Sequence, residues 1–152
     1  MNELDRIIDQ ITRAFAGEAW HGPALSETLH GLPAQQAAAR PLPRAHSIWE
    51  IVLHLIATQT VLLRRLNGDF TELTPAEDWP MVDETTETAW QRTLEMLREQ
   101  ELRFRSAVKE FPVKRLDMPL NPGGSSAYNN FQGHAQHMTY HAGQIALLRR
   151  AG

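Results

Sequence analysis

Apolar residues recur along this chain at intervals of three and four, in four separated segments. Leu4, Ile7, Ile8, Ile11, Ala14 and Phe15 make the first stripe. That spacing predicts an amphipathic helix, which Gly17 ends. A second helix is predicted from about Ser47 to Leu66. Ser47 followed three residues later by Glu50 is a capping-box pattern, and Asn67-Gly68 closes the far end. The third runs from about Glu84 to Glu110, with Trp90, Leu94, Leu97, Phe104 and Val108 on one stripe, and Pro112 stops it. A turn over Asn121 to Ser126 leads into a last helix reaching about Arg150. No alternating run is long enough to predict a sheet. Four helices, each with one apolar stripe, predict an all-α fold, a four-helix bundle in a single domain over residues 1–152.

The connection between the first two helices is about thirty residues long and is broken by Gly22-Pro23, Gly31, Pro33, Pro41 and Pro43. A short helical turn is predicted within it over Ala34 to Ala39. Connections of that length inside a domain are usually functional, and this one is expected to cover one end of the bundle.

Composition narrows the picture chiefly by exclusion. Net charge is −3 with the signs mixed along the chain, so no basic stripe for nucleic acid is present. There is no cysteine, which removes disulfides, Cys-type zinc sites and thiol nucleophiles. Glu3, Asp5, Arg6 and Asp9 interrupt the N-terminus as no signal-peptide core tolerates. The longest apolar stretch, Ile48 to Leu63, carries Glu50 and His54 and is too short and polar to span a bilayer. A cytoplasmic protein with no membrane partner is the expectation.

Histidine changes the picture most. His137 and His141 are spaced i, i+4 on the last helix, about 40° apart around its axis and one turn apart along it. Two imidazoles so placed can reach one ion. Their face points inward, because His134, Met138, His141, Ile145 and Leu148 follow a core stripe. Ile51, His54, Thr58 and Val61 form a similar stripe on the second helix. A buried imidazole without a partner is costly. A divalent metal shared between the two helices would explain both faces; the plainer account is imidazoles hydrogen-bonded within the core.

Three stretches resemble the DinB/YfiT-like family of four-helix-bundle proteins: WHGPALSETLHGL at residues 20–32, HSIWEIVLHLI at 46–56 and HAQHMTYHAGQIALLRR at 134–150. The resemblance covers nearly the whole chain. It implies one divalent ion per chain, Zn²⁺ or Ni²⁺ foremost, held by His54, His137 and His141. It also implies a small-molecule substrate, a homodimer and varied activities, among them thiol-dependent S-transfer with a low-molecular-weight thiol, and metal-dependent hydrolysis. A metal-containing binding or stress-response protein without turnover is the alternative.

Three protein ligands leave a coordination position open, the arrangement of a catalytic site. Metal-bound histidines usually donate their second ring N–H to an oxygen. Glu50, four residues before His54, is a candidate for that oxygen or for a general base, set against its role as the capping partner of Ser47. Gln144 is a further candidate beside His141, and Tyr140 is set between packing and proton donation. His46 and His134 are placed at the site mouth or, by default, at the surface or a cap. Glu101 falls on the third helix's stripe and is read as a partly exposed break in it rather than a fourth ligand. Trp20 and His21 are weighed as a flap over the site against a loop anchored by one aromatic. Arg149 and Arg150 are read as complementing the end of their own helix.

Overall fold

A computed structural model describes residues 1–152. Its long helices are α1 (Glu3–Ala16), α4 (Ile48–Leu66), α6 (Glu87–Lys109) and α7 (Ala127–Ala151). Between them lie three short helices, α2 (Leu25–Leu29), α3 (Ala34–Ala38) and α5 (Pro75–Asp78), and a 3₁₀ turn at Val113–Arg115. The four long helices match the four apolar stripes. Side-chain caps open each of them: Asn2, Ser47, Thr86 and Ser126 accept from the first-turn backbone. Gly17 ends α1 at φ 148°, a conformation that residues with a side chain rarely adopt.

α4 packs against α6, and α1 against α7, with α7 also touching α4. The core includes Ile7, Ile11, Leu55, Trp90, Leu97, Phe104, Phe131, Met138 and Ile145, all essentially without solvent contact. Buried indoles keep a partner for their N–H. Trp49 Nε1 donates to Thr93 Oγ1 at 3.1 Å and Trp90 Nε1 to the Leu32 carbonyl at 2.8 Å. The Trp90 bond fastens the long first connection to α6.

That connection covers one end of the bundle, where α1 and α7 finish and α4 and α6 begin. It contributes α2, which packs on α1 and α7, and α3, which packs on α4 and α6. Arg149 serves it as well. Its Nη1 donates to the carbonyls of Thr28 (2.9 Å) and His30 (2.7 Å), so this guanidinium satisfies the end of α2 rather than the end of its own helix. Trp20 is fully exposed, neither closing over the site nor anchoring the loop. His21 is exposed beside it. No helix is long and apolar enough to cross a membrane.

Candidate metal centre

The inward faces of α4 and α7 meet where the sequence places its three histidines. His54 Nε2 lies 3.1 Å from His137 Nε2, and His141 Nε2 lies 3.0 Å from the same atom. These three alone form a group able to hold one ion, with all their ligand atoms within 4.8 Å of one another. Glu101 is not among them.

The outer nitrogens fix the tautomers. His54 Nδ1 donates to the Asp78 carbonyl at 2.8 Å and lies 3.1 Å from Asp78 Oδ1. His141 Nδ1 donates to Gln144 Oε1 at 2.6 Å. In the neutral rings both protons therefore sit on Nδ1, and the Nε2 lone pairs of His54 and His141 both point at His137 Nε2. One proton on His137 can satisfy only one of them. Burial, with His141, His54 and His134 around it, pushes the His137 imidazole down to about 4, so a positive ring is not the remedy. Burial also lowers His141. A cation at the meeting point would remove the conflict, and the two separations to His137 are near those that one ion needs. Nitrogens about 2.0–2.1 Å from a tetrahedral ion lie about 3.3 Å from each other.

The oxygen facing His54 belongs to Asp78, in a loop the sequence offered no reason to single out. Thr74 caps the one-turn helix α5, accepting from the Glu77 N–H while the Glu77 carboxylate accepts from Thr74 N, and Pro75 opens the turn. This turn delivers Asp78 and Trp79 to the site. The Trp79 ring stacks on His54 at 4.0 Å, within 1° of parallel, and on His46 at 3.8 Å. His46 is thus at the edge of the site, as one of its sequence readings has it.

Glu50 is occupied elsewhere. Its carboxylate accepts from Ser47 N at 2.7 Å and from the Arg40 guanidinium. Partial burial works to raise this carboxyl, but the Ser47 hydrogen bonds, with Arg40 and His46, outweigh it and hold it below the usual value. Gln144 meets His141 directly, and exposed Tyr140 sets its ring against the same imidazole at 5.1 Å.

Glu101 departs from its sequence reading and His134 from its default one, though His134 does line the cavity beside His137. Glu101 is fully buried, not a partly exposed break, and His134 is neither a surface nor a cap residue. Glu101 Oε2 lies 2.9 Å from His134 Nε2 and accepts from Gln59 Nε2 at 2.8 Å. Each is polar at a core position on a different helix, so each accounts for the others.

Two cavities border the imidazoles, and Trp79 lines both. One, about 640 Å³, lies beside His137 and is lined among others by Thr58, Arg65, Glu72, Asp78 and Asn129. The other, about 390 Å³, lies beside His141 and is mainly apolar, with Leu42, Ile51, Leu147 and Leu148 in its wall.

An all-helical bundle with three convergent imidazoles, two of them tautomer-locked, and adjoining cavities defines a class: a helical-bundle protein with a candidate mononuclear metal centre. The DinB superfamily model matches residues 19–144, a span that takes in all three histidines and Gln144. The chain belongs to the DinB superfamily. No match is found among curated proteins or solved structures.

Proposed function

We propose that this protein is a metal-dependent enzyme acting on a small molecule, with His54, His137 and His141 as the ligands of one Zn²⁺ or Ni²⁺ ion. One observation carries the reading: three Nε2 atoms converge with too few protons to satisfy one another, and no fourth protein ligand joins them. Imidazole suits both ions, and three ligands leave room for a substrate. When bound, such an ion supplies Lewis acidity, which acidifies a water or thiol that reaches it.

The chain's own residues supply the rest. Asp78 and Gln144 hold the outer ring N–H groups and so aim the lone pairs inward. Trp79, flat against His54, keeps water from that ring's face. Thiol-dependent S-transfer is favoured over hydrolysis because it needs room for two organic reactants, and a polar and an apolar cavity both border the centre. Glu50 is not required by this reading.

Elemental analysis of tag-free protein beside the His137→Ala/His141→Ala variant tests the proposal. About one ion per chain, lost in the variant while the helical signal is kept, is expected. No ion in either protein after incubation with Zn²⁺ and Ni²⁺ would refute it. An ion present without turnover on any thiol-transfer or hydrolysis substrate would favour the non-catalytic alternative.

A further inference from the structure

The larger cavity has a far end that the metal reading leaves unused. Arg65 is the only arginine or lysine lining it. It follows His54 by eleven residues on α4, which is within about 20° of three full turns and about 16 Å of rise. The two side chains therefore share one face of the helix. Long helical side chains lie back toward the N-terminus, so the guanidinium leans along that face toward the histidine end.

Burial separates Arg65 from its present partner. The Arg65 side chain is 19% exposed, whereas Glu72, whose carboxylate oxygens lie 2.9 and 3.1 Å from Nη2, is 67% exposed. Packing holds the guanidinium in the cavity wall, and the carboxylate opposite it is a solvated, exchangeable one. Val61 and Leu62 line the cavity between Arg65 and the histidine end. The ensemble is a cation at one end, a wall of mixed polar and apolar side chains, and His137 with the centre it belongs to at the other.

We propose that this cavity binds an elongated small molecule by a terminal carboxylate held at Arg65, with the molecule's reactive end at the three imidazoles. The inference rests on the metal-centre reading and adds the ligand class. A guanidinium pairs with a carboxylate through parallel hydrogen bonds, and Glu72 already shows that a carboxylate fits here. Its negative charge also disfavours a doubly charged phosphoryl group at the same spot.

Hydroxamates test this, because the chelating end is held constant while the far end varies. Suberic monohydroxamate, octanohydroxamate, succinic monohydroxamate and 7-phosphonoheptanohydroxamate are titrated calorimetrically into the metal-loaded protein and its Arg65→Gln and Glu72→Gln variants. The long acid is expected to bind at least about tenfold more tightly than its methyl-ended analogue. The short acid should gain nothing from its carboxylate. Arg65→Gln should abolish the preference while octanohydroxamate binds as before, and Glu72→Gln should increase the preference by removing the competitor. Equal binding of acid and methyl ends in protein that holds its ion would overturn this inference alone. A preference for the phosphonate would overturn the carboxylate class. Protein that holds no ion would overturn the metal centre, and this inference with it.

Discussion

Two buried polar clusters share α4 and α7, and they are built on different central groups. Around Glu101, one carboxylate oxygen meets an imidazole and an amide N–H, while Glu101 Oε1, Gln59 Oε1 and His134 Nδ1 lie buried without a hydrogen-bond partner. Around His137, imidazole nitrogens meet only each other at 3.0 and 3.1 Å, with their spare protons turned outward to Asp78 and Gln144. The first cluster is held together by a carboxylate oxygen that accepts from two donors. The second has no carboxylate at its centre, and a cation is the group that would answer its lone pairs. Both clusters are polar and buried; what distinguishes the second is the convergence of three imidazole nitrogens on one point.

The largest expected effect that separates the two clusters lies in the first. Glu101→Ala leaves His134 and Gln59 facing a void, and removing one member of a buried pair typically costs about 3–5 kcal/mol. Urea denaturation should show that loss while metal per chain stays unchanged. Loss of the ion as well would mean that the clusters act as one unit. A smaller effect is expected at the second cluster's support. Gln144→Ala frees the His141 ring to turn and should weaken metal affinity by about 10–100-fold, read by chelator competition, with little change in denaturation midpoint.

The pH response should sharpen the contrast further. The His137 imidazole is held at about 4 against an ordinary 6.5. Between those values the unfolded chain takes up a proton that the folded chain refuses. Metal-free protein should therefore lose stability as pH falls from about 6.5 toward 4, and gain nothing from this group above that window. Denaturation midpoints across the range, beside a His137→Gln variant with a shallower slope, check this. An identical slope in the variant would remove His137 from the effect.

How much of this was legible in the chain follows from where each residue sits. The four long helices and the inward direction of His54, His137 and His141 follow from periodicity, because helical spacing fixes which residues share a face. Asp78 and Trp79 were hidden because a one-turn helix has no period to detect, and loop residues reach a site by a path that spacing does not encode. Glu101 was misread for a different reason. Taken singly, a glutamate on an apolar stripe suggests a break in it, since lone buried carboxylates are rare. Gln59 and His134 occupy core positions on α4 and α7, and three polar intrusions at facing levels were the signal that pairs them. The role of Arg149 depended on α2, an element too short to stand out.

Trp79 has an optical consequence. Its indole lies flat against His54, while Trp49 and Trp90 are buried together 5.0 Å apart and Trp20 stands in solvent. Of the four emitters, only Trp79 touches a proposed ligand ring. Filling the centre changes the electronic character of that ring and leaves the surroundings of the other three as they were. Trp79 emission would thus gauge occupancy of the centre, with a Trp79→Phe variant as the blank against which to read it.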